Sequence, residues 1–135
     1  MNREGCVLAF DFGLKHIGVA VGQTITLTAT PLDTLSARNG RPQWPAVELL
    51  VSEWRPIQLV VGLPLNMDDT ESEMSGRARR FASQLAEKTG LQVSMADERL
   101  TSRMTRDEDA SHAAAAALIA ETWLNSGGSV DNQRR

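Results

Sequence analysis

The run Ile57-Gln58-Leu59-Val60-Val61-Gly62-Leu63-Pro64 is almost continuously apolar. A strand with one face in water alternates apolar and polar residues, whereas a run without alternation is buried on both faces. It reads as a strand in the middle of a sheet covered by helices, which makes the chain α/β. The remaining sequence supplies the cover. Trp44, Val47, Leu50, Val51 and Trp54 recur at helical spacing until Pro56 stops them. From Glu71 to Thr89 helix-forming residues dominate, with Met74, Ala78, Phe81, Ala82 and Leu85 on the expected buried face. Glu71 and Glu73 at its start and Lys88 at its end suit the helix dipole, and Gly90 ends it. A third helix is predicted over Glu108 to Asn125, ended by Gly127-Gly128.

The other strands flank these helices. Val7-Leu8-Ala9-Phe10-Asp11-Phe12-Gly13 and Ile17-Gly18-Val19-Ala20-Val21-Gly22 read as two strands about a tight turn. Thr24 to Thr30 alternates Thr with apolar residues, a half-exposed strand ended by Pro31. Ser36 to Pro42 reads as a polar loop carrying two arginines. Leu91 to Ala96 alternates again. The order β-β-β-α-β-α-β-α predicts a mixed five-stranded sheet flanked by helices. Residues 1–128 form one domain, and 129–135 are a polar, frayed tail.

Composition limits the partners. The 135 residues suit one domain, and a net charge of −3 means that any nucleic-acid site must be a local basic patch. Cys6 is the single cysteine, so neither an internal disulfide nor a cysteine-based zinc site is expected. No run approaches the ~20 apolar residues that span a bilayer, and Met1-Asn2-Arg3-Glu4-Gly5 lacks a leader's apolar core. A cytoplasmic protein with no membrane contact is expected.

The anomaly is Asp11. It ends an apolar strand, where a carboxylate is costly unless paired, bound to a cation or used to cap a turn. Gly13 permits a positive φ, and Gly18 leaves one face of the second strand bare. The last strand delivers Asp97-Glu98-Arg99 to its own end. If those two strands are neighbours, the acids converge, and clustered carboxylates select hard cations, Mg²⁺ or Mn²⁺. Two such ions about 3.5–4 Å apart can clamp a phosphodiester. Lys15, Arg77, Arg79, Arg80, Arg99 and Arg103 are the candidate phosphate contacts.

Three segments carry a resemblance. Asp11-Phe12-Gly13-Leu14-Lys15 through Gly22, Val61-Gly62-Leu63-Pro64-Leu65-Asn66-Met67-Asp68, and Asp97-Glu98-Arg99-Leu100-Thr101-Ser102 resemble, in order and spacing, the leading motifs of the YqgF/RuvX family. The resemblance implies an RNase H-like fold related to the RuvC resolvases. It also implies a metal-dependent nuclease that matures the 5′ end of pre-16S ribosomal RNA. The alternatives are a Holliday-junction-type DNA resolvase and a non-catalytic nucleic-acid-binding ribosome-assembly factor. Pre-rRNA, or branched DNA, is the implied partner, and a monomer or weak homodimer the expected state. By motif match Asp11 and Glu98 become metal-binding acids. The C-terminal portion departs from the family pattern, with a shorter insert after the Asp-Glu-Arg motif. Counting back from Leu118-Ile119-Ala120-Glu121 puts His112 at the family's third acid, and Asp109 lies one helical turn earlier. Either completes the site, His112 as nitrogen ligand or proton donor, Asp109 as carboxylate. Hard Mg²⁺ favours Asp109.

Overall fold

The computed structural model describes residues 5–63, 72–97 and 112–127. Strands β1 (Cys6–Asp11), β2 (His16–Gln23) and β3 (Thr28–Arg38) form an antiparallel meander, and β4 (Arg41–Pro42) folds back on the end of β3. Helix α1 (Trp44–Trp54), strand β5 (Gln58–Leu63), helix α2 (Glu73–Thr89), strand β6 (Val93–Asp97) and helix α3 (His112–Asn125) follow. The sheet order is β4-β3-β2-β1-β5-β6, with β5 parallel to β1 and β6 parallel to β5. The C-terminal ends of β1, β5 and β6 therefore share one margin.

The two faces of the sheet differ in kind. On one, Leu8, Phe10, Val19, Leu59, Val61 and Met95 pack with Val47 of α1 and with Ala78, Phe81, Ala82 and Leu85 of α2. Phe81 is central there, with its ring centroid 5.7 Å from that of Phe10, 5.4 Å from Phe12 and 5.8 Å from Trp44. On the other face, Val7, Ala9, Val60 and Ala96 meet Ile119, Ala120, Trp123 and Leu124 of α3. Here the contact is between small residues: β2 presents Gly18, Ala20 and Gly22 to the alanines of α3. The helix backbone can then lie close to the sheet. The continuous run in β5 is explained, since Leu59 and Val61 face α2 and Val60 faces α3.

The meander is where the sequence reading is corrected. The alternating stretch from Thr24 is not a strand at its start: Thr24 to Leu27 turn the chain from β2 into β3, with Leu27 at φ 61°. Thr24 is held there because its hydroxyl accepts from the Gly5 amide at 2.9 Å and donates to the Gly5 carbonyl at 3.0 Å. Pro31 does not end the strand. It lies inside β3 at a register shift, where the partner of Val19 is Asp33 and that of Ala20 is Pro31. An irregular step of this kind tolerates the missing N–H. The loop at 36–42 is a hairpin, with Asn39 at φ 55° and Gly40 at φ 82°, and it adds β4 as a two-residue sixth strand. Asn-Gly is the dipeptide that favours positive φ at both central positions of a hairpin turn.

The helices match expectation closely. α2 starts two residues later than predicted, capped by Ser72, whose hydroxyl accepts from the Ser75 amide at 3.3 Å. Gly90 closes it in the left-handed conformation at φ 74°. The predicted start of the last helix at Glu108, the motif residues from Pro64 to Asp68, and the tail lie outside the described residues. None of the described helices is long and apolar enough to cross a membrane.

Candidate functional site

Asp11 is the last residue of β1 and is half-buried. Alternation along the strand turns it, with Val7 and Ala9, toward the α3 side. Its partner in β2 is Gly18. The bare backbone predicted at Gly18 is there, but the protein itself occupies it. A methyl on Gly18 would run into the carbonyl of His112 and lie 2.8 Å from the amide nitrogen of Ala113. The first described turn of α3 therefore sits directly over the residue paired with Asp11. On the other flank, the β1–β5 register runs to Phe10 and Val61, so its next step sets Asp11 beside Gly62, and Gly62 pairs with Ala96 of β6. The carboxylate stands in a row in which its neighbours carry no more than a methyl group.

Gly13 has a different role from the one read in the sequence. It is not among the positive-φ glycines; instead the His16 carbonyl lies 2.5 Å from where its Cβ would be. The β1–β2 turn is that tight. It is braced from outside as well, because the carbonyls of Lys15 and Leu14 accept from the amides of Ala37 (2.8 Å) and Gly40 (2.9 Å). Lys15 itself is exposed, within four residues of Asp11. Among the described residues no basic side chain pairs with Asp11.

The expected convergence of acids takes a modified form. β1 and β6 are not neighbours: β5 lies between them, so their ends are two strand spacings, about 10 Å, apart. Asp97 is half-buried and pairs with Leu63, whose side chain belongs to the α1–α2 core. Asp97 and Asp11 therefore face opposite sides of the sheet. His112 is brought in. Its imidazole stacks on that of His16 at 4.9 Å between ring centroids and 21° between planes. Sequence reasoning missed His16, and only the seating of α3 on β2 reveals it. Among the described residues no three of His, Cys, Asp and Glu gather closely enough to hold a metal ion. Glu98, Arg99, Arg103 and Asp109 lie outside the described residues.

The helix arginines are on the far side. Arg77, Arg79 and Arg80 belong to α2, which covers the face opposite to α3. Arg77 makes an i,i+4 pair with Glu73 at 3.5 Å. Arg77 and Arg80, one turn apart, line a cleft shared with the β3–β4 hairpin, and Arg79 is not part of that lining.

A mixed sheet with three parallel strand ends at one margin and helices on both faces is a fold this chain shares with RuvC. Thermus thermophilus RuvC bound to a Holliday junction substrate superposes with a TM-score of 0.60 at 16% identity, covering 95% of this chain and 99% of that one. A second T. thermophilus RuvC structure gives 0.56 at 18% identity, covering 94% and 99%. The chain belongs to the RuvX family, described as Holliday junction resolvase, which it matches over residues 5–126. Two curated relatives bear the name "Putative pre-16S rRNA nuclease". That of Mannheimia succiniciproducens is 48% identical, covering 88% of this chain and 94% of its own length. That of Pectobacterium carotovorum is 46% identical, covering 90% and 96%.

Proposed function

We propose that this protein is a cytoplasmic, divalent-metal-dependent endonuclease acting on the 5′ end of pre-16S ribosomal RNA. One observation carries the proposal. Asp11 is half-buried at a strand end, unpaired by any described cation, with the small residues Gly18 and Gly62 on either side of it in the sheet. A carboxylate held this way favours a cation as its partner.

The donor chemistry fits a hard cation in part: Asp11 offers oxygen, and the further oxygens are assigned to Glu98 and Asp109. Alternation along β6 supports Glu98 over Asp97. Asp97 falls on the α1–α2 side, away from Asp11, which leaves Glu98 as the acid of that motif to supply the oxygen. Asp109 is favoured over His112 because the His112 ring is already engaged with His16. Bound there, Mg²⁺ or Mn²⁺ would neutralise charge on a phosphodiester and lower the pKa of a water. The chain's own residues do the rest. Lys15, Arg99 and Arg103 supply cationic contacts to a sugar-phosphate backbone at the sheet margin.

A second reading, cleavage of branched DNA, is favoured by the family's description and the junction-bound fold relative. Incubating wild-type protein with a pre-16S 5′-leader RNA and with a four-way DNA junction, in Mg²⁺, Mn²⁺ or chelator, separates the two. Asp11→Asn and Asp109→Asn should each lower RNA cleavage at least a hundredfold, and His112→Ala about tenfold. Metal-independent cleavage, or cleavage untouched by Asp11→Asn, would refute the assignment.

A further inference from the structure

The β3–β4 hairpin and α2 enclose a cleft of about 120 Å³ on the face of the sheet opposite to Asp11. The left-handed turn at Asn39-Gly40 brings Arg41 to it from one side. Arg77, Arg80 and Gln84 line the other, all on one stripe of α2. Phe12 and Phe81 also line it. Three arginines thus line one small space, and no carboxylate is among its described lining residues. Their mutual repulsion is relieved only slightly by Glu73, which pairs with Arg77 from an 85% exposed position. Planar forks of this kind match the oxygens of a phosphate two at a time. The volume is that of roughly four waters, enough for one partly hydrated phosphate group.

The location adds a constraint. Phe12 follows Asp11 directly, so cleft and carboxylate lie on the two faces of one strand end, with Cα atoms about 3.8 Å apart. A polymer passing over that margin reaches both; a free anion has no reason to. We propose that this cleft binds a phosphate of a single-stranded nucleic acid whose chain crosses the sheet margin toward Asp11. The identity of the polymer rests on the functional reading above, but the anion site does not. Arg41 thereby joins Arg77 and Arg80 as a contact to the strand.

Anisotropy of a fluorescently labelled single-stranded RNA, titrated in chelator so that nothing is cut, tests this across a salt series. Arg41→Ala and Arg80→Ala should each lower the slope of log affinity against log salt by about 0.7, and the double variant by about 1.4. Arg41→Lys should keep the slope while weakening binding, and Lys88→Ala, with equal charge loss outside the cleft, should keep both. Arg41 and Arg80 are exposed, and unchanged melting temperatures would certify the fold. An unchanged slope in the double variant overturns the proposal. So does a double variant that loses thermal stabilisation by inorganic phosphate yet retains the RNA slope, because the site would then serve free phosphate. Lowered slopes without Asp11-dependent cleavage would retain the cleft and remove the nuclease reading. Asp11-dependent cleavage with unchanged slopes would do the reverse.

Discussion

Gly18→Ala is a one-methyl test of how the site is assembled. The added carbon would collide with the carbonyl of His112 and approach the Ala113 nitrogen to 2.8 Å. Those are backbone atoms of a helix, so no side chain can rotate away and α3 must retreat by about 1 Å. Overpacking of a core costs about 1–3 kcal/mol, and a rigid neighbour puts this case at the upper end, about 3 kcal/mol. For a domain of this size that lowers Tm by about 10 °C. A shift of about 1 Å beside Asp11, the proposed metal ligand, should also reduce cleavage about a hundredfold. Two glycines calibrate the measurement. At Gly22 a methyl would meet the side chains of Leu124 (2.9 Å) and Val7 (3.2 Å), which can yield, so Gly22→Ala should cost about 1 kcal/mol and spare activity. At Gly76, inside α2, nothing lies within 4 Å, and Gly76→Ala should gain about 0.5–1 kcal/mol. Thermal melts and cleavage rates on the three variants decide the matter. Equal melting temperatures for Gly18→Ala and wild type would refute the seating of α3 on β2.

Burial pushes the Cys6 thiol above its ordinary 9.0, and its S–H donates to the Trp54 carbonyl at 3.3 Å. The unfolded chain ionises first as pH rises. This contribution is therefore complete below about pH 9 and is lost as pH rises above it toward the folded-state value; urea melts of Cys6→Ala should lack that decline. The buried Ser94 hydroxyl accepts from the Gln58 amide at 2.7 Å across β5 and β6. Ser94→Ala should cost about 1–3 kcal/mol by orphaning the amide, and adding Gln58→Leu should restore most of it, as calorimetry would show.

Much of the fold was legible because burial writes itself into periodicity. The unbroken run in β5, the helical spacing of Val47 and Leu50, and the Ala78-Phe81-Ala82-Leu85 stripe each specify a face, and each face was found. The meander was harder. Alternation at Thr24 to Thr30 describes side-chain polarity but not where a chain reverses, and the reversal was set by hydrogen bonds to Gly5 nineteen residues away. Pro31 was read as a stop because the register shift beside it has no local signal. Asn39-Gly40 did carry one, but the flanking arginines and prolines masked it as a loop. At the site, Asp11 announced itself as a charge in an apolar strand, whereas His16 and Arg41 became visible only once α3 and α2 were docked.

The packing of α3 on β2 also bears on the order in which the chain can assemble. Gly18 and His112 meet although nearly a hundred residues separate them. The meander leaves the ribosome early, but its Gly18-Ala20-Gly22 face has nothing to pack against until α3 has been synthesised. Contacts of such sequence separation form late and slowly, because the intervening loop must be closed first. A nascent chain carrying Asp11 without α3 would expose a small-residue sheet face, prone to association. Assembly of the proposed site around Asp11 is thereby tied to the synthesis of α3, so that copies stopped short of it lack the helix that covers Gly18.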